Sequence, residues 1–338
     1  MVVVIYVSCI SKIVDIHLKP TPPMLRIVAQ NHGNTVRAIT ILLFLVGCAA
    51  ADPASTETPA SDGTLPQIPI RLLKPNGIGP FPAIVIMHDC SGLGPRSSGA
   101  PGRWAKELLG HGYVILMPDS FSTRGFADGV CTDPSPNRRE VSPVRRAADA
   151  YAALAYLRTL SFVNASRVGL MGGSHGGSAT LASMVAPKTG NDVFPHEKGT
   201  GFAAAVALYP GCGFQYGDWR PVRKSGPGGP ITAYTGLYKP LAPLLILIGE
   251  NDDWTPAEPC QKLTDAGQAA GYQISIKVYP GAHHAFDSDR PVRYVAQRIN
   301  LNSATGRGAT TGGDPTAWSD SINEVVSFFE KHLKPNQK

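Results

Sequence analysis

Gly172-Gly173-Ser174-His175-Gly176-Gly177 follows the strand-like run Arg167-Val168-Gly169-Leu170-Met171 and leads into Ser178-Ala179-Thr180-Leu181-Ala182. A short apolar run, a glycine-dense turn and a stretch of small residues read as strand, tight turn and helix, with a serine at the tip. The pentapeptide Gly172 to Gly176 is Gly-x-Ser-x-Gly. Such a turn needs glycine on both sides of the serine, because side chains two positions away would collide with the neighbouring backbone. It also sets the serine at a helix N-terminus, whose unpaired N–H groups and dipole favour the negative charge that develops during nucleophilic attack. Glycine-rich turns before helices also bind phosphate or serve packing alone, so the motif acquires meaning only from its surroundings. No Gly-Lys-Ser/Thr follows it, and Gly-x-Gly-x-x-Gly is absent from the first strand turn, which excludes a P-loop and a dinucleotide fingerprint.

Around this turn the chain alternates short runs of Val, Ile, Leu and Ala with helical patterns. Strands are predicted at 68–73, 82–88, 112–117, 167–171, 203–209, 244–249 and 273–279. Helices are predicted at 101–110, 143–160, 176–186, 257–270 and 316–333. In 143–160, Val144, Ala147, Ala148, Tyr151, Leu154, Ala155 and Leu157 recur at three- and four-residue steps, while Arg145, Arg146, Asp149 and Arg158 fall largely elsewhere and predict a solvated face. Strands alternating with helices imply an α/β fold, an open, mainly parallel sheet with helices on both faces and ligands at the carboxyl ends of the strands. Two stretches break the rhythm, 211–240 and 285–315, both long, glycine-rich loops of the kind used as lids or binding surfaces.

A serine hydroxyl is a poor nucleophile at neutral pH and needs a histidine to take its proton and an acid to orient that histidine. In an α/β sheet carrying this turn the chain order is serine, acid, histidine. The strand at 244–249 runs into Glu250-Asn251-Asp252-Asp253-Trp254-Thr255-Pro256, and the strand at 273–279 into Pro280-Gly281-Ala282-His283-His284-Ala285-Phe286. Three chemistry-bearing groups on three strand ends in that order point to a hydrolase of the α/β-hydrolase fold. The oxyanion hole then takes the N–H of His175 and a second N–H from the loop His88-Asp89-Cys90-Ser91-Gly92-Leu93 after an earlier strand. His88 itself reads as structural.

The 338 residues, 43% of them apolar, suffice for one full α/β core. The formal net charge of +6 includes four cations (Lys12, Lys19, Arg26, Arg37) and one acid (Asp15) before residue 48, leaving 6 − 3 = +3 without that leader. That excess is no nucleic-acid footprint, and the cluster Arg138, Arg139, Arg145 and Arg146 beside Asp149 reads as a solvated helix start. Residues 38–47 form an apolar run of about ten after Arg37, too short for a span and suited to a signal sequence. The run ends in Leu45-Val46-Gly47-Cys48, which resembles a bacterial lipobox, with Cys48 lipidated after cleavage; the alternative is a secretory signal cut after Ala49 or Ala51. Residues 1–47 are thus expected to be a leader, with Met24 a possible true start, 48–64 a flexible tether and 65–335 the folded domain. Export to the periplasm permits disulfides among Cys90, Cys131, Cys212 and Cys260. Of three possible pairings we expect Cys90–Cys131 and Cys212–Cys260; no ligand spacing among them suits zinc.

Five spaced segments together resemble the dienelactone hydrolase family: Met87-His88-Asp89-Cys90-Ser91-Gly92-Leu93, Pro118-Asp119-Ser120-Phe121, Gly172 to Gly177, Gly249 to Pro256, and Pro280 to Asp287. The likeness spans most of 65–335. It implies that Asp252 and His284, rather than Asp253 and His283, complete a triad with Ser174. It further implies that the second oxyanion donor is the N–H of Cys90, and that Asp89 falls where the family's founding enzyme carries a glutamate touching its nucleophile. Arg124 resembles a substrate-carboxylate arginine shifted by one position, with a structural ion pair as the alternative, and Trp254 is a further candidate for contact with substrate. The founding enzyme uses cysteine where this chain has Ser174. The expected function is hydrolysis of small esters or lactones through an acyl-serine intermediate, with no metal or cofactor and no nucleic-acid partner. A peptidase, a carbohydrate deacetylase or a non-catalytic exported binding module on the same fold are the alternatives.

Overall fold

The computed structural model describes residues 55–57, 68–185, 201–224 and 230–334. The leader with Met24 and Cys48 lies outside these residues. In chain order the elements are β1 (Ser55–Glu57), β2 (Ile70–Leu73), β3 (Phe81–Met87), α1 (Ala100–Gly110), β4 (Val114–Pro118), α2 (Pro143–Thr159), β5 (Val163–Gly173), α3 (His175–Ser183), β6 (Ala204–Leu208), β7 (Arg220–Arg223), β8 (Ile231–Thr235), β9 (Leu244–Gly249), α4 (Ala257–Ala269), β10 (Ile274–Tyr279), β11 (Arg293–Ile299), β12 (Arg307–Thr311) and α5 (Pro315–Leu333).

Eight strands form one sheet in the order β1-β2-β4-β3-β5-β6-β9-β10. From β4 to β10 every pair is parallel, whereas β2 joins β4 and β1 joins β2 antiparallel. The fold is thus the mainly parallel α/β sheet expected. β4, β6 and β9 are buried along their whole length, which is why their sequences are unbroken apolar runs rather than alternating ones. Two helical layers supply that burial. In one, α1 and α5 meet through Trp104 and Trp318, edge to face at 4.7 Å; in the other, α2 packs against α3. Helix ends follow their caps: Asp314 accepts the N–H groups of Thr316 and Ala317 ahead of Pro315, and Ser142 accepts that of Arg145 ahead of Pro143.

The strand order reverses at β3, whose crossover through α1 leads to β4 on one side while β5 lies on the other. Met87 is in register with Gly172, and Gly173 with Leu208, so the carboxyl ends of β3, β5 and β6 open at one level. This is the crevice where an open α/β sheet holds its ligand.

Three expectations need correction. Ser55–Glu57, inside the stretch read as tether, pairs with β2 as an edge strand. The two stretches read as long loops each contain an antiparallel hairpin, β7–β8 and β11–β12, forming small sheets of their own. Their strands are short and largely half exposed, with two arginines each in β7 and β11, so they lack the apolar run that betrays a buried strand. Finally, Arg146 and Asp149 are fully buried instead of solvated. Asp149 is held by Arg124, and Arg146 turns inward toward the loop after β3.

Candidate active site

Ser174 sits at φ 54°, ψ −115°, a conformation that a non-glycine residue adopts only under constraint. The constraint is close packing. A Cβ on Gly172 would lie 2.5 Å from the carbonyl of Gly176, and one on Gly176 would lie 2.0 Å from that of Met87. The first turn of α3 therefore presses against the end of β3 only because both positions lack side chains. Ser174 occupies the N-cap position of α3, yet its hydroxyl caps nothing there. It points instead to His284, whose Nε2 is 2.9 Å from Oγ.

His284 follows β10, and its Nδ1 lies 2.8 Å from Asp252 Oδ2. Asp252 follows β9, and its Oδ1 accepts the N–H groups of Trp254 (3.0 Å) and Thr255 (2.8 Å), while the Thr255 hydroxyl reaches Oδ2 at 2.9 Å. Such a carboxylate is fixed in rotation, and with it the imidazole tautomer that carries its proton on Nδ1 and leaves Nε2 free to accept. All three side chains are buried, with Ser174 at the floor of a cleft of about 280 Å³. The neighbours point elsewhere: Asp253 accepts the amide and hydroxyl of Thr310, and half-buried His283 faces the carbonyl of Asn251.

The two residues expected to supply oxyanion donors adjoin the cleft, Cys90 in its lining and His175 next to Ser174 in the chain. The N–H of His175 is the first of α3 and has no acceptor within the helix. Cys90 lies in the turn after β3, tied to Cys131 by a disulfide with Cα atoms 5.0 Å apart, while Val130 N–H donates to its carbonyl at 2.7 Å. The second disulfide joins Cys212 and Cys260, so both expected pairings are present.

The cleft brings in Asp89 and Trp254 as well. Asp89 accepts from the hydroxyls of Ser91 and Ser98, which ties down its own loop. Trp254 packs its ring against His284 at 4.7 Å and donates Nε1 to the carbonyl of Ile299 in β11. Arg124 does not line the cleft: its guanidinium forms a bidentate pair with buried Asp149 at 2.6 and 2.7 Å, the structural alternative.

The structure adds groups that sequence reading passed over. Tyr209, after β6 at φ 36°, sets its ring edge-on to His284 at 4.8 Å and gives its hydroxyl to Asp287 Oδ1 at 2.8 Å. Trp104 Nε1 takes the other carboxylate oxygen at 2.8 Å. Burial raises the pKa of Asp287 and pushes the Tyr209 phenol well up, so the phenol stays a donor. The end of β12 also grips His284, with Gly312 N–H and the Thr311 hydroxyl donating to its carbonyl. Nothing in the spacing of residues 285–315 announces that contact. Among the described residues, no cluster of three His, Cys, Asp or Glu is arranged to hold a metal ion, and no helix is long and apolar enough to cross a membrane.

The sequence model of the dienelactone hydrolase family matches residues 68–333. A Synechocystis protein provisionally named as a carboxymethylenebutenolidase is 26% identical over 276 residues, covering 79% of this chain and 93% of the relative. A Methylorubrum extorquens protein with the same provisional name is 28% identical over 245 residues, covering 71% and 74%. Among solved structures, a provisional dienelactone hydrolase from Klebsiella pneumoniae superposes with a TM-score of 0.56 at 20% identity, covering 83% of this chain and 98% of that one. The apo form of Thermogutta terrifontis esterase 2 superposes with a TM-score of 0.54 at 17% identity, covering 84% and 97%. At such identities the likeness shows the fold alone.

Proposed function

The chain belongs to the dienelactone hydrolase family, and from that membership we propose that it hydrolyses small esters or lactones through an acyl-serine intermediate formed on Ser174. The observation that carries the reading is the unbroken chain from Ser174 Oγ through His284 to Asp252, at 2.9 and 2.8 Å. In it, His284 Nε2 takes the hydroxyl proton as Oγ bonds to the substrate carbonyl carbon. The carbonyl oxygen becomes an alkoxide held by the N–H groups of His175 and Cys90. As that intermediate collapses, the imidazolium passes its proton to the departing alkoxide, and the acyl group remains on Ser174. A water then repeats the sequence, losing its proton to His284 and releasing the acid. A lactone opens by the same steps, with leaving group and acyl group on one molecule. The small volume of the cleft favours small substrates over a folded polypeptide.

The test is turnover of short p-nitrophenyl esters and a lactone panel by the wild type and Ser174→Ala. The substitution should lower kcat about a million-fold while the circular dichroism spectrum stays unchanged. Turnover retained by the variant would sink the assignment, and failure of a fluorophosphonate to label the wild type would point to a binding module.

We further propose that the chain is exported and anchored through a lipidated Cys48, with 48–64 as a tether except where Ser55–Glu57 joins the sheet edge, and 65–335 as the catalytic domain. Two disulfides are consistent with export, since such bonds persist in an oxidising compartment.

A further inference from the structure

Arg146 is fully buried, and among the described residues no carboxylate lies within ion-pair distance of it. Asp149, one turn along α2, is already engaged by Arg124. Burial lowers the Arg146 pKa to about 10, which leaves it a cation at neutral pH. A buried cation without a direct counter-ion is costly, so what it holds in return carries weight.

It holds two things. One terminal nitrogen donates to the carbonyl of His88 at 2.7 Å, and the other to Nδ1 of His175 at 2.7 Å. Its plane packs on Phe121, with the central carbon 4.9 Å from the ring centroid, and the same ring meets the edges of His88 and His175 at 4.4 and 5.7 Å. These two contacts fall on the two backbone segments that carry the oxyanion donors. His175 is itself one donor residue. His88 stands two positions before Cys90, and its Nδ1 donates to the Asp89 carbonyl at 2.8 Å, since its Nε2 accepts from Ser120 N–H. The Asp89 carbonyl and the Cys90 N–H belong to one trans peptide unit and point in opposite directions. Fixing the carbonyl toward His88 therefore fixes the direction of the Cys90 N–H.

We propose that Arg146 is a positioning residue that ties both halves of the oxyanion hole to one rigid guanidinium, fixing the separation and direction of the His175 and Cys90 N–H groups. The proposal rests on Ser174 being the nucleophile. A planar fork with two donors at a set angle suits this task, whereas an ammonium on a flexible stem reaches only one acceptor firmly. Burial, then the Arg146 charge, hold His88 and His175 well below the usual histidine range, so both remain neutral and keep the acceptor nitrogens this network needs.

The experiment compares wild type with Arg146→Met and Arg146→Lys, each titrated to completion with a fluorophosphonate so that rates refer to sites with a reactive serine. For short p-nitrophenyl esters, kcat per titrated site should fall about 10- to 100-fold in Arg146→Met with KM within about threefold, and Arg146→Lys should lie between. Affinity for a trifluoromethyl ketone, which binds as a hemiketal oxyanion, should fall by the same factor as kcat. His175→Phe keeps the backbone N–H and the ring packing but removes the Nδ1 acceptor, and it should reproduce the loss if the arginine variants fail to fold. Unchanged kcat per site and unchanged ketone affinity, with only a lower Tm, would overturn the proposal and leave Arg146 a packing residue. A wild type that takes no label, or a Ser174→Ala that still turns over, would instead overturn the nucleophile on which it rests.

Discussion

At the scale of single residues, the site is built from side chains denied their ordinary partners. The Ser174 hydroxyl stands where a helix cap belongs and bonds to an imidazole instead. Buried His88 and partly buried His175 are held neutral, and that has a measurable consequence. Their folded-state pKa values lie below the unfolded value of 6.5, so below that pH the unfolded chain binds protons that the folded one refuses. Stability from these two groups is fully present above about pH 6.5 and is lost progressively as pH falls toward about 5. Tm measured from pH 8 to 5 should therefore be level and then decline, and His88→Gln should make the decline shallower. A wild-type Tm that is flat across that range would contradict the assignment of neutral buried histidines. Residue identity was legible in the sequence where chain order and turn chemistry fixed it, as for Ser174. Between Asp252 and Asp253, or His283 and His284, spacing could not choose; the family likeness pointed to Asp252 and His284, and the structure brings those two together. Arg146 was misread because helical periodicity assigns faces only relative to the sheet, and here a loop folds over the face that periodicity leaves polar.

At the scale of elements, most of the parallel strands and helices fall within a residue or two of their predicted places, while β5 begins four residues before its prediction and α3 ends three residues short of its own. The physical reason is that unbroken apolar runs and proline or serine caps are local signals. The hairpins β7–β8 and β11–β12 were hidden because their pairing is with each other, and no run of apolar residues records it. Yet β11–β12 touches the site at several points: Ile299 N–H donates to the Cys131 carbonyl, its carbonyl takes Trp254 Nε1, and β12 holds the His284 backbone. The disulfide Cys90–Cys131 thus joins the loop after β3, proposed to carry the second oxyanion donor, to the hairpin that holds the His284 backbone. Reducing it in the native protein, with release of thiols followed by titration, should lower kcat roughly tenfold through misplacement of the Cys90 N–H. Cys131→Ser should do the same, whereas Cys212→Ser with Cys260→Ser should lower Tm by several degrees and leave kcat within about twofold. Unaltered kcat after complete reduction would show that the loop keeps its place without the cross-link.

At the scale of the whole molecule, the sheet is a scaffold whose carboxyl edge leads into the loops that carry Cys90, Ser174, Asp252 and His284, and the chain ahead of it carries the expected address. If Cys48 is lipidated, full-length protein made in a bacterial host supplied with labelled palmitate should carry the label and sediment with membranes. Cys48→Ser should lose both properties. A mature N-terminus at Ala50 or Asp52 without label would replace the anchor by a plain secretory signal. The hairpins add a different consequence. Neither hairpin shares a ladder with the eight-stranded sheet, and the isolated bridge between Thr311 and His284 joins β12 to the loop after β10. The ladder of β11–β12 is made within the hairpin, and Arg293, Val295 and Arg298 on β11 line the cleft, so exchanging those side chains can change what the cleft admits while the sheet below keeps its register.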